Sequence, residues 1–377
     1  MTRETSRANS AVMLLVCAAL FVAVLTVAVL CSGCAQLSDT LSDMSVIVPP
    51  IPINSTPVEP GETPPDGVEV AYSVTEVFSG VPFKLCALAP VHDGLVVGLC
   101  SGYGTGSTHL YWSATGEAGT WRRKEIQNAE TITGGVTVDG TTYFVSEHTR
   151  KVLLYANGSF RTGVPSPGRW GGGTTLMQGE PVAFYNNQYG GGRMDKASLH
   201  NLRTGARLLT MDRACFPFTA VVDSPGSGYL WATCSLGWRG IWRSDGTWIV
   251  CDANTIEYFD HTIYFGGGSR FGEGQRVTDG RLWRLDGLTP VLLTETPCSA
   301  MTDMQIWQGR LWACGIDPDT LFVLQSGKWT HVSSKGNETA ADNSRGLGGS
   351  LAVFNNTLFW GRSDKKRGYV YLISVQE

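Results

Sequence analysis

Five residues in loop-like stretches carry side chains suited to hold a ligand: Arg169, Arg213 and Arg345, with Trp170 and Trp238. Guanidinium groups brought together grip a carboxylate through paired N–H donors, and an indole face offers a flat apolar support beside them. Arginine is equally at home in exposed loops, where it pairs locally, so convergence in space decides between the two uses. Glu257, Asp260 and Asp303 are the carboxylates from which a pair for glycoside chemistry would have to come. Local catalytic signatures are missing. The chain has no G-x-S-x-G elbow and no Walker loop, and His92, His109, His148, His200, His261 and His331 fall singly in turns or outer strands. No cofactor is expected.

Cysteine adds a second kind of chemistry. Beyond Cys17, Cys31 and Cys34, seven cysteines remain. Cys86 and Cys100 stand symmetrically about a turn at 92–94, and Cys215 and Cys234 bracket a turn at 225–228. Cys298 and Cys314 take comparable places further on, so three disulfides are expected if the chain faces an oxidising compartment. Cys251 is then left over, a buried thiol with no neighbouring base to activate it. None of the seven forms a C-x-x-C pair, which argues against a metal site.

The elements that position these groups are strands. The 377 residues include 46 glycines, 12 tryptophans and 12 tyrosines, a composition for short strands and tight turns. From about residue 68 onward, runs of four to seven Val, Leu, Tyr, Trp and Phe recur without a sustained helical period. Six turn glycines, Gly119, Gly158, Gly205, Gly246, Gly287 and Gly327, stand 39, 47, 41, 41 and 40 residues apart. A second series of turns holds Asp93 with Gly94, Asp139 with Gly140, Gln178 with Gly179, Gly228, Asp260 with His261, Gln308 with Gly309, and Asn355 with Asn356. Each is followed by a strand of one style, such as LVVGLC, YLWATC and RLWACG. A four-stranded unit of this size cannot bury both faces alone, so the copies must stack.

This repeat resembles β-propellers as a superfamily over roughly four-fifths of the chain. The expected fold is all-β, a seven-bladed β-propeller over 68–377, with the seventh blade completed by a strand at 68–78 against one at 368–375. Radial packing places Arg169, Trp170, Arg213, Arg345 and Trp238 on one face, and tight glycine turns on the other. Trp112, Trp231, Trp242, Trp283, Trp312 and Trp360 recur at equivalent strand positions and are expected in the core between blades. The turns at 113–121 and 243–248 resemble degenerate Asp-boxes of sialidase-type propellers, though the first lacks the aspartate and the second is short.

The first 67 residues are organised differently. Arg3 and Arg7 precede an uncharged run at 11–31, long enough to span a bilayer core of roughly 30 Å. Cys31, Ser32, Gly33 and Cys34 resemble a bacterial lipobox with Cys34 as the lipidated residue, although Cys31 occupies a place where the motif has an aliphatic residue. Two readings stay open, an uncleaved signal anchor and a lipoprotein signal, and both tether the chain outside the cytoplasm over 1–34. Seven prolines between 46 and 65 make 35–67 an extended linker.

Two functions from different classes follow. The favoured one is a non-enzymatic surface module that presents its loop face to a protein or glycan. The alternative is a secreted glycosidase or sialidase-like hydrolase. A net charge of −4 with 16% charged residues excludes a basic nucleic-acid footprint, and a monomer is expected.

Overall fold

The computed structural model describes residues 70–376 apart from 82–83, 101–107, 125–131, 147–150, 169, 187–194, 224–226, 269–279, 336–348 and 365. The chain divides into two units, Met1–Ile51 and Pro52–Glu377, and every described residue belongs to the second. The expected anchor and linker, Cys34 included, therefore lie outside the described residues. Among the described residues no helix is long and apolar enough to cross a membrane.

All described elements are strands. After β1 (Tyr72–Gly80) comes a four-stranded antiparallel sheet of β2 (Lys84–Val91), β3 (Gly94–Cys100), β4 (His109–Ser113) and β5 (Arg122–Lys124). The next is β6 (Ile132–Val138), β7 (Thr141–Ser146), β8 (Lys151–Ala156) and β9 (Ser159–Pro165). A seven-stranded sheet follows, with β10 (Trp170–Met177), β11 (Glu180–Asn186), β12 (Lys196–Asn201) and β13 (Arg207–Val222). It continues through β14 (Leu230–Gly237), β15 (Gly240–Arg243) and β16 (Trp248–Ile249). Four-stranded sheets then repeat as β17 (Thr255–Phe259), β18 (Thr262–Gly267), β19 (Arg281–Asp286) and β20 (Thr289–Glu295), and as β21 (Ala300–Trp307), β22 (Arg310–Ile316), β23 (Asp319–Gln325) and β24 (Lys328–Lys335). The last contains β25 (Gly349–Phe354), β26 (Thr357–Ser363) and β27 (Gly368–Val375), with β1 antiparallel on β27 from Tyr72 opposite Val375 to Gly80 opposite Gly368. The N-terminal strand expected over 68–78 thus begins at Tyr72.

The core explains why the sheets stack. Its clusters join successive sets of strands: Val96 and Leu110 with Phe144 and Tyr155, Tyr143 and Val145 with Ala183 and Tyr185, and, across the two halves of the seven-stranded sheet, Val182 and Phe184 with Leu230 and Trp242. The series goes on with Trp231 and Ile241 against Ile256 and Phe265, Leu282 against Met301 and Leu311, and Trp312 and Leu321 against Leu358 and Trp360. It returns to its start where Phe359 and Val370 meet Leu85 and Leu99. The first strands β2, β6, β10, β13, β17, β21 and β25 touch in that order, and β25 touches β2. Burying an aromatic or Leu side chain in this way contributes roughly 1.5–3 kcal/mol.

Turn chemistry agrees with the sequence. Asp139, Gln178, Asp260, Gln308 and Asn355 open two-residue turns with φ between 47° and 54°, and the residue after each also has positive φ. The first hairpin differs. Its turn is His92 with Asp93, and Gly94 is the first residue of β3. There a Cβ would lie 2.3 Å from the Ser113 carbonyl oxygen and 2.6 Å from the Trp112 indole nitrogen.

The three expected disulfides are not formed in this structure. The Cys215 and Cys234 sulfurs are 3.2 Å apart, well beyond the bond length of about 2.05 Å. Symmetry about a turn misjudged the ladders. A bulge at Cys86 shifts the register, so Cys100 faces Lys84 while Ala87 faces Gly98. Cys215 faces Gly237, whereas Cys234 faces Pro217. Cys298 precedes β21, and Cys314 faces Asp303 and Leu321.

Candidate functional site

Of the five residues expected on the ligand face, Arg213 and Trp238 come together. Arg213 lies where β13 leaves one neighbour for the next: Ala214 faces Lys196 of β12, and Cys215 faces Gly237 of β14. The Trp238 amide donates to the Ala214 carbonyl at 3.0 Å, which fixes the indole beside the crossing point. The guanidinium of Arg213 sits 4.0 Å from the Trp238 ring centre and 5.5 Å from that of Trp248. Among the described residues its nearest acid is Asp212 at 3.8 Å, beyond hydrogen-bond length. Asp212 is itself engaged by the Trp248 indole N–H at 2.7 Å. Trp238 keeps 49% of its surface exposed. Arg239 and Asp252 flank the patch, both exposed and 3.8 Å apart.

Arg169 and Arg345 lie outside the described residues. Trp170 opens β10 opposite Asn186, and its side chain lies outside them as well. Asp260 sits in the hairpin turn between β17 and β18, with φ of 47°.

Glu257 and Asp303 occupy first strands of adjacent sheets. Glu257 stands two residues before the last ladder pair of its hairpin, where the other hairpins carry Ala89, Val136, Thr175, Ala220, Gln305 and Ala352. It is the one acid in that series. Its carboxylate accepts the Tyr258 amide at 2.9 Å, and burial, reinforced by the nearby Asp303 charge, pushes it up to about 8. Asp303 accepts from the Met304 amide at 2.9 Å and ties the next sheet by accepting from the Leu351 amide at 2.7 Å. At neutral pH Glu257 is therefore a protonated acid.

Two arrangements were not legible beforehand. Arg362 of β26 donates to Asp319 of β23 at 2.7 Å, with side chains only 8% and 12% exposed. Burial pushes the Asp319 carboxyl up to about 7 against the opposing pull of Arg362. On β12, Ser198 and His200 are 2.8 Å apart, and the imidazole Nδ1 is 3.2 Å from the Gly205 carbonyl. A carbonyl only accepts, so Nδ1 carries the proton and Nε2 accepts from the serine. Burial lowers His200, which keeps the ring neutral. Both residues are on one strand two positions apart, a spacing that sequence inspection for separate triad members passes over.

The Asp-box-like turns are local braces. Ser113 accepts from the Gly116 amide at 2.8 Å and lies 2.5 Å from the Thr120 hydroxyl. Asp245 accepts from Arg243 and from the Thr247 amide at 3.0 Å, and the Arg243 hydrogen bond brings its carboxyl down to about 2.

No family model and no curated protein matches the sequence. Among solved structures, catalytically inactive virginiamycin B lyase from Staphylococcus aureus, crystallised with quinupristin, aligns with a TM-score of 0.55. The alignment covers 79% of this chain and 99% of the lyase at 13% identity. That lyase is a β-propeller. A likeness at this identity establishes architecture and leaves chemistry to the site. The chain has the all-β fold of a β-propeller with repeated four-stranded sheets.

Proposed function

We propose that this chain is a membrane-tethered, extracytoplasmic β-propeller of seven blades that binds a protein or glycan through the face around Trp238 and Arg213. The blade count is supported by the cyclic contacts of the first strands, with the second half of β13 opening the fourth blade and β1 completing the seventh. The segment 1–34 is the anchor, by Cys34 lipidation or by the run at 11–31, and 35–67 is the spacer. The protein works as a monomer without cofactor or nucleic acid.

One observation carries the binding reading: a half-exposed indole backed by a guanidinium whose edge has no hydrogen-bond partner among the described residues. Buried aromatic and arginine anchors dominate contact energetics, and a rigid pair loses little entropy on binding. Full-length protein and its Trp238→Ala variant are compared for binding to immobilised glycans and purified surface proteins. Loss of binding by at least about tenfold is expected, corresponding to about 1.4 kcal/mol. Undiminished binding removes this face from consideration.

The hydrolase reading rests on Glu257, a protonated acid near the Asp303 charge. General acid catalysis needs a carboxyl held neutral near working pH, with a second carboxylate at a set distance. Turnover of chromogenic glycosides that vanishes in Glu257→Gln supports it, and absence of turnover across neutral and acidic sugar glycosides rejects it.

A further inference from the structure

Resting on the reading of the Trp238 face as the contact surface, we infer that its ligand is a carboxylate-bearing sugar, a uronate-type glycan. The guanidinium of Arg213 lies within cation–π reach of two indoles, 4.0 Å from the Trp238 ring centre and 5.5 Å from that of Trp248, which hold it in place. Its five N–H donors make no hydrogen bond among the described residues, and the Asp212 oxygen stays at 3.8 Å from Nε. Asp212 is held off by its own bond from Trp248 at 2.7 Å. A planar fork held against aromatic rings, with its N–H donors unbonded among the described residues, matches a carboxylate, which takes two parallel N–H donors.

The indole supplies the other half of the match. With Arg213 on one face of Trp238, its 49% exposure falls on the other face and the edge. Aliphatic C–H groups of a pyranose ring suit such a surface, while the ring's hydroxyls stay in water. Arg239, next in sequence and exposed, has among the described residues only Asp252 at 3.8 Å, so a second positive group borders the patch. A uronate joins a stacking ring and a carboxylate within one residue, which is what an adjacent indole and guanidinium require. An acidic peptide offers carboxylates without the flat C–H face.

The test uses full-length protein with oligogalacturonate as the probe, the same oligosaccharide after carboxyl reduction, and poly-glutamate. Oligogalacturonate is expected to bind, with affinity falling as salt rises. Arg213→Lys keeps the charge but loses the planar fork, and Trp238→Ala loses the stack. Each is expected to weaken binding about tenfold or more, as is carboxyl reduction of the probe. Trp238 is exposed and Arg213 half-buried, and unchanged thermal unfolding of both variants confirms that they fold. Equal binding of the reduced oligosaccharide overturns the uronate assignment and leaves a glycan-binding face in place. Tighter binding of poly-glutamate overturns it in favour of an acidic protein partner. Oligogalacturonate binding unaffected by Trp238→Ala removes both the assignment and the face.

Discussion

Glu257 offers a direct way to ask whether the packing between sheets has been read correctly. The carboxyl is held protonated up to about 8 by burial beside Asp303, against 4.5 in an exposed chain. A raised acid means that the folded protein binds a proton more tightly than the unfolded one. The stability linked to that proton is fully present below pH 4.5 and is lost progressively until about pH 8, after which the loss levels off. The gap between the two values sets a ceiling of about 5 kcal/mol. Glu257 is only partly enclosed, so water screens the ionised form and about 2–3 kcal/mol is the expected loss. Glu257→Gln removes the titration while keeping the shape. Gln305 at the equivalent place in the following hairpin indicates that an amide fits such a position. Denaturant unfolding of both proteins is measured from pH 5 to pH 9. The parent is expected to lose about 2–3 kcal/mol more than the variant over that interval, with the two curves converging toward pH 5. Parallel curves would refute the argument, because the carboxyl would then be no more easily neutralised in the fold than in water.

Further expectations concern packing and the buried polar groups. Gly94→Ala drives a methyl group into the Ser113 carbonyl and the Trp112 indole, and is expected to destabilise by about 2–3 kcal/mol in the same unfolding assay. Arg362→Ala leaves Asp319 buried without its partner, at an expected loss of about 3–5 kcal/mol that Arg362→Met with Asp319→Leu largely restores. Cys215 and Cys234 are fully buried thiols, so native protein is expected to resist alkylation there and to react at both once unfolded; peptide mapping that finds them bonded would contradict the described geometry.

The architecture was legible because it rests on local chemistry repeated. Strand runs and turns every 40 residues or so are each set by a few neighbours: Asp139 with Gly140 or Gln308 with Gly309 adopt positive φ for reasons contained in the turn. Stacking follows from the inability of one sheet to bury its faces, and Trp312 and Trp360 fill the space between sheets as their recurrence implied. The pairing of β1 with β27 was legible for a related reason, since a last repeat short of one strand needs another.

What escaped the sequence depends on small displacements and on neighbours far along the chain. Cysteines placed symmetrically about a turn seemed suited to bonding, but the bulge at Cys86 and the offset of Cys234 to Pro217 move each ladder by a residue or more, and a disulfide tolerates little of that. Arg213 owes its place to Trp238, in the connection after β14, and Trp248 of β16, which reach it because β13 runs on from its pairing with β12 to its pairing with β14. In the sequence Glu257 is one of three candidate carboxylates alike in kind, and only burial beside Asp303 sets its proton affinity apart, because that affinity follows the surroundings of a carboxyl and not its identity. Repeated strands and turns were therefore determined by sequence alone, being local and many times restated, whereas sulfur distances, the stacked guanidinium and the protonated acid were decided only by tertiary packing, where a shift of one ångström changes the chemistry.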